Sequence, residues 1–188
     1  ASAENDELIQ KAIATAKNKK GPVHINVPFE EPLYNIVSQY SYNSLLLNDE
    51  SEVKVEEEFD TTIIQNGEKI VVLIGSQNPD IISKENIDFL ASLPNVVILT
   101  EINSNIHHKN IVANIDTLIS TFSEDDFKDF QPDLLLTFGG MIVSKRVKAL
   151  FRNYPAKNHW HIDELRAYDT FSSLTKHINV SPNHFINQ

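Results

Sequence analysis

The sequence contains no cysteine. That absence excludes disulfides, thiolate zinc sites and a cysteine nucleophile, and it fits a reducing compartment. No apolar run approaches the roughly 18 to 20 residues of a membrane-spanning helix, so a soluble protein without membrane insertion is expected. The opening Ala1-Ser-Ala-Glu-Asn-Asp6 carries neither a basic n-region nor an apolar h-region. No signal peptide is therefore visible, and a cytoplasmic location is expected. Basic side chains are scarce, 16 against 26 acidic ones, for a formal net charge of −10. So acidic a body repels nucleic acid and anionic lipid at long range, and any anion it binds must be gripped by a local cluster of cations. Three catalytic signatures are also missing. No serine sits in a Gly-x-Ser-x-Gly elbow, there is no Walker loop, and the three-glycine dinucleotide fingerprint is reduced to Gly75 in Gly75-Ser-Gln-Asn-Pro79. An ordinary strand-to-helix turn is expected there rather than a bound dinucleotide.

What is present is the composition of one globular core: 188 residues, 41% hydrophobic and 22% charged. The chain starts without Met, and Asp6 to Lys17 reads as the middle of something already folded, so an excised piece of a larger intracellular protein is expected. Leu8, Ile9, Ala12, Ile13 and Ala16 have helical spacing over 4–18, with Lys17 at the dipole-favoured end and Gly21 just past it. Val23, Ile25 and Val27 alternate with polar residues and predict a strand, closed by Pro28 and Pro32. Residues 35–56, with acidic runs at Asp49–Glu52 and Glu56–Glu58 at their end, read as a solvated linker. Beyond about residue 57 the pattern becomes regular. Apolar runs at 70–74, 96–99 and 134–136, with His159–Ile162, predict buried strands. Between them lie helical stripes. The cleanest joins Ile111, Ile115, Leu118, Ile119 and Phe122, and Ser123 with Asp126 resembles a capping box. Strands alternating with helices predict an α/β fold, a Rossmann-like open parallel sheet flanked by helices.

Such sheets bind ligands beyond the carboxyl ends of their strands. After the third core strand comes Phe138-Gly-Gly-Met-Ile-Val-Ser-Lys-Arg146. The glycines permit a sharp turn, Ser144 can cap the next helix, and Lys145 and Arg146 fall in its first turn. Cations there oppose the helix dipole, a mild cost until a negative ligand arrives. Arg146 can hold a carboxylate in a bidentate fork while Lys145 supplies a point charge; Lys148 and Arg152 extend the basic surface. A solvated basic face offsetting the acidic body fits the composition equally well. Among the histidines, His159 and His161 stand at i, i+2 and could chelate a metal with Asp163, but a satisfied structural pair is the expectation. His107-His108 reads as a loop pair.

The stretch Gly21-Pro-Val-His-Ile-Asn-Val-Pro-Phe-Glu-Glu-Pro-Leu-Tyr34 resembles the end of the pyrimidine-binding domain of thiamine-diphosphate enzymes. It is most similar to the MenD family, the 2-succinyl-5-enolpyruvyl-6-hydroxy-3-cyclohexene-1-carboxylate synthases of menaquinone biosynthesis. Thr100–Asn105, Asn114–Asp116, Pro132–Gly140, Ser144–Arg146 and His159–Asp163 resemble the family in the same order. The resemblance implies a tail of the pyrimidine-binding domain at 1–34, a linker at 35–56, a central Rossmann-like domain at 57–165 and a lead-out toward the diphosphate-binding domain at 166–188. It implies a transferase that decarboxylates 2-oxoglutarate on thiamine diphosphate with Mg2+ and joins the product to isochorismate, and a homo-oligomer when intact. It further implies that the catalytic glutamate precedes Ala1 and that the Gly-Asp-Gly cofactor motif follows Gln188. This stretch alone is then expected to be inactive, to bind neither cofactor nor metal tightly, and to contribute Lys145 and Arg146 to substrate binding. A non-catalytic nucleotide or metabolite module, its ligand near Gly75, Glu101 and Gly139, is the alternative. An unrelated oxidoreductase domain is weakened by the missing glycines.

Overall fold

The computed structural model describes residues 3–28, 31, 34, 36, 62–66 and 69–188. The chain divides into two compact units, Ala1–Lys54 and Val55–Gln188. Apart from residue 36, the expected linker 35–56 lies outside the described residues, as do its acidic runs and Pro32.

In the first unit, α1 spans Ala3–Asn18 with Glu4 and Asp6 in its first turn and Lys17 in its last, each complementing the dipole. None of its side chains is buried; Leu8 is 59% exposed. The left-handed residue that ends it is Lys20, at φ 44°, and Gly21 sits one position later, donating its N–H to Ala16 O at 3.2 Å. Val23–Val27 forms no strand. The alternation is genuine, but a strand needs a neighbour for its N–H and C=O groups, and no other strand of this unit is found among the described residues. Val23, Ile25 and Val27 are exposed.

The second unit is built on five parallel strands: β1 Ile70–Ile74, β2 Val96–Thr100, β3 Leu134–Phe138, β4 Asn158–Ile162 and β5 Lys176–Ile178, in the order β2-β1-β3-β4-β5. The sheet is open, as expected. The helices are α2 Thr62–Asn66, α3 Lys84–Ser92, α4 Ile115–Ile119, α5 Glu124–Phe130, α6 Lys145–Asn153 and α7 Pro182–Ile186. Both faces are covered, which is why the central strands read as unbroken apolar runs. Ile70, Val72, Ile74, Leu134, Leu136 and Phe138 pack on one side with Ile87 and Leu90 of α3 and Phe185 of α7. Val71, Leu73 and Leu135 pack on the other with Ile115 and Ile119 of α4 and Val147, Leu150 and Phe151 of α6. Each fully buried side chain of this kind contributes about 1.5–3 kcal/mol relative to exposure. The register is flush: Ile74 lies opposite both Thr100 and Phe138, so β2, β1 and β3 end on one common edge.

Two elements differ from expectation. Only Ile115–Ile119 of the stripe at 111–122 is helical. Val112 instead donates its N–H to Ile98 O at 2.9 Å, and Val112 O accepts from Thr100 N–H at 3.0 Å. The unpaired backbone groups of edge strand β2 thus hold residue 112 extended, overriding a helical period. The expected lead-out at 166–188 contributes β5 and α7, burying Ile178 and Phe185. Lys176-His-Ile178 is too short to reveal an edge strand by alternation.

Candidate functional site

The chain reverses direction across the sheet between β1 and β3, the point at which ligands settle in open α/β sheets. Here that crevice is closed by backbone. Gly75 donates its N–H to Phe138 O at 2.9 Å, and Gly140 donates to Ser76 O at 2.7 Å. A Cβ on Gly75 would lie 2.0 Å from Gly140 O, and Gly139 has φ 74°. The glycines serve the approach of two loops to each other, not of a loop to a pyrophosphate.

The open space lies one strand over, at the end of β2. A cleft of about 470 Å³ is lined there by Thr100, Glu101, Asn103, Asn114, Asp116 and Ser144, among others. Residues from three regions far apart in sequence, Thr100–Asn103, Ala113–Thr117 and Val143 with Ser144 and Val147, meet around it. Thr100 Oγ1 and Asn103 Oδ1 are buried beside it and make no hydrogen bond. Glu101 Oε2 accepts from Val143 N–H and Glu101 Oε1 from Ser144 N–H, both at 2.7 Å. Ser144 is the N-cap of α6: its Oγ accepts from Val147 N–H at 3.1 Å and donates to Asp116 Oδ1 at 2.6 Å. The negative charge that the helix N-terminus calls for comes from the chain itself.

Lys145 and Arg146 follow directly. Both are exposed, and neither makes a hydrogen bond or ion pair with its side chain among the described residues. Arg152 does not extend the free basic surface, because its guanidinium donates twice to Thr170 O, at 3.1 and 2.8 Å. Of the metabolite-binding trio weighed from sequence, Gly75 and Gly139 come together without leaving room, and Glu101 faces the neighbouring cleft with both oxygens engaged. The role of Glu101 at α6 was not legible from sequence, since its partners lie 42 and 43 residues away.

His159 and His161 are buried on the α6 side of β4, 0% and 2% exposed. Thr137 Oγ1 joins them, 3.0 Å from His159 Nε2 and 2.8 Å from His161 Nδ1, and donates to Trp160 O at 3.3 Å. The other ring nitrogens, His159 Nδ1 and His161 Nε2, are buried without a partner. An orphaned buried N–H is rarer than an orphaned lone pair. The network therefore assigns the protons to His159 Nε2 and His161 Nδ1, both donating to Thr137 Oγ1. Burial holds both rings down to about 4, with His161 adding to the effect at His159 and Asp163 opposing it at His161. Asp163 turns away from the pair, accepting from Leu165 and Arg166 N–H at 2.7 and 2.8 Å through Oδ1. His107 lines a second, shallow hollow with His108, whose Nε2 lies 3.4 Å from Asp88.

No protein-family model matches the chain. Curated relatives do, throughout its length. The chain is 52% identical over its whole length to the 2-succinyl-5-enolpyruvyl-6-hydroxy-3-cyclohexene-1-carboxylate synthase of Flavobacterium psychrophilum, covering 34% of that protein. It is 48% identical over 98% of its length to the enzyme of the same name from Flavobacterium johnsoniae, again covering 34%. With that of Christiangramia forsetii the identity is 41% over 92% of the chain and 31% of the relative. The chain thus spans about a third of the relatives it matches.

Proposed function

We propose that this chain, a segment of the 2-succinyl-5-enolpyruvyl-6-hydroxy-3-cyclohexene-1-carboxylate synthase family, is the central part of such an enzyme and supplies Lys145 and Arg146 to substrate carboxylates. In the whole enzyme the reaction is decarboxylation of 2-oxoglutarate and addition of the remaining four-carbon unit to isochorismate. Thiamine diphosphate, with Mg2+, supplies the electron sink for that decarboxylation when bound. The described residues do not build a site for it. Gly75 and Gly140 meet backbone to backbone where a phosphate cradle would open, and no three metal-ligating side chains converge among them. The part played by this chain is structural spacing of the two cofactor-binding domains, together with recognition. Residues 1–34 are read as the tail of the pyrimidine-binding domain; intracellular residence and assembly into a homo-oligomer belong to the same reading.

The observation that carries the proposal is a pair of exposed cations, unpaired among the described residues, in a chain with 26 acidic residues. Both substrates carry two carboxylates, and a guanidinium beside an ammonium suits such a group. The rival reading, a nucleotide module, loses its phosphate seat to the Gly75–Gly140 contact. The test is Lys145→Ala and Arg146→Ala in the full-length enzyme. Each is expected to raise KM for one substrate by about tenfold, as for a lost charge-assisted contact, with the fold intact by circular dichroism. Unchanged kinetics in both variants would refute the role.

A further inference from the structure

We infer that Glu101 is a positioning residue for the Lys145–Arg146 pair, a clasp that aims both cations from the first turn of α6. The inference rests on the function proposed above and deepens it. Each oxygen of the Glu101 carboxylate takes one amide, those of Val143 and Ser144, at 2.7 Å. These are the two residues immediately before Lys145. A bidentate carboxylate on consecutive amides fixes the orientation of the turn, not only its distance.

Glu101 is itself held. Its N–H donates to Ser104 Oγ at 3.0 Å, and Ser104, 0% exposed, donates to Ile74 O at 2.5 Å. Ile74 ends β1, the strand lying between β2 and β3. A continuous path of hydrogen bonds therefore runs from the end of β1, through Ser104 and Glu101, to the start of α6. A second tie arrives from another element, where Asp116 Oδ1 accepts from Ser144 Oγ at 2.6 Å. Two carboxylates, one just after β2 and one in the first turn of α4, converge on the turn that carries the cations. Ser144 Oγ satisfies one N–H at the start of α6, that of Val147, and Glu101 takes those of Val143 and Ser144.

The clasp also determines how a substrate carboxylate is recognised. The amides of Val143 and Ser144 would attract any anion at a free helix N-terminus, and Glu101 occupies them. With those two amides taken, the side chains of Lys145 and Arg146 are the charged groups left to an incoming carboxylate. Charge on Glu101 further offsets the penalty of two cations in a first turn.

The experiment compares Glu101→Asp, Glu101→Gln and Asp116→Ala with Lys145→Ala and Arg146→Ala in the full-length enzyme, measuring KM and kcat for each substrate. Glutamine presents an NH2 to one of the two amides, so the bidentate clasp is broken at nearly constant volume. Glu101→Gln is expected to raise KM about tenfold for the same substrate that the cation variants affect, with Glu101→Asp in between. Asp116→Ala, at an exposed position, gives a smaller rise in the same KM and stands in for Glu101→Gln if that variant does not fold. Adding Glu101→Gln to Arg146→Ala should raise KM by much less than the product of the single effects. Full multiplicativity would overturn the inference. So would a Glu101→Gln, or in its stead an Asp116→Ala, that leaves this KM unchanged while Arg146→Ala raises it, even with a lowered melting temperature. If neither cation variant moves any KM, it is the proposed function that falls, and the inference with it.

Discussion

Acid should destabilise this protein before its carboxylates are titrated, because of two rings on β4. His159 and His161 are 0% and 2% exposed and are held to about 4, against an ordinary value of 6.5. The folded value lies below the unfolded one, so between about pH 6.5 and 4 the unfolded chain binds protons that the folded chain refuses, and stability falls as pH falls. At pH 5.5 an unfolded ring is about nine-tenths protonated and a folded one only a few per cent, so moving from pH 7 to 5.5 removes about 1.2 kcal/mol per ring. Both rings together give about 2.5 kcal/mol, a sizeable share of the 5–15 kcal/mol usual for a domain. The structural cause is specific. A proton added at His159 Nδ1 or His161 Nε2 arrives at a buried nitrogen with no acceptor. Urea unfolding followed by tryptophan fluorescence from Trp160, next to both rings, is the assay. The midpoint is expected to fall by about 1 M between pH 7 and 5.5. His161→Phe should remove about half of that dependence and His159→Phe/His161→Phe nearly all of it. An equal midpoint shift in the double variant and the natural sequence would refute the reasoning.

Two further outcomes follow from packing. Gly75→Ala places a Cβ 2.0 Å from Gly140 O, and backbone cannot rotate aside as a side chain would. It should cost about 3 kcal/mol or more in chemical denaturation, and a loss under about 1 kcal/mol would mean that the two loops slide freely. Asn183 anchors α7: Asn183 Oδ1 accepts from Ser83 N–H and Asn86 Nδ2 at 2.9 and 3.0 Å, and Asn183 Nδ2 donates to Ile81 O at 2.9 Å. Asn183→Ala strands the amide of Asn86, which is 6% exposed, and should cost about 2 kcal/mol. A melting temperature equal to that of the natural sequence would count against this anchor.

The central strands were legible because burial on both faces leaves an apolar run that needs no context. Ser123 with Asp126 was legible for the opposite reason, as a wholly local exchange: Asp126 N–H donates to Ser123 Oγ, and Ser123 N–H to Asp126 Oδ2. Failures came where a distant element decided. Ile111 keeps a helical period, yet its neighbour Val112 serves the unpaired edge of β2, and Val23–Val27 alternates without a neighbour to make it a strand among the described residues. Lys145 and Arg146 were found as residue types in a sharp turn, whereas their support was hidden, since no local pattern links Glu101 to Val143. Gly75 was read as part of a turn. The reason it must be glycine, contact with Gly140, exists only in three dimensions. The reading of His159 and His161 as a structural pair identified the pair but not Thr137, which joins it.

That Lys145 and Arg146 stand unpaired among the described residues calls for its own explanation, because the chain carries ten more acidic than basic residues and two carboxylates line the adjacent cleft. Glu101 would be the natural counter-ion for either cation. It is kept from that role by two backbone amides that hold both of its oxygens, and Asp116 gives one oxygen to Ser144. The same hydrogen bonds therefore do two things: they put negative charge at the start of α6, where the dipole favours it, and they engage both oxygens that a cation would otherwise take. A surface ion pair in place of this arrangement would be worth at most about 1 kcal/mol and would leave the cations committed. Leaving them free costs the fold little, and in the proposed function it keeps both cations available to a substrate carboxylate. The backbone from which both side chains extend is tied to the sheet, through Glu101, Ser104 and Ile74.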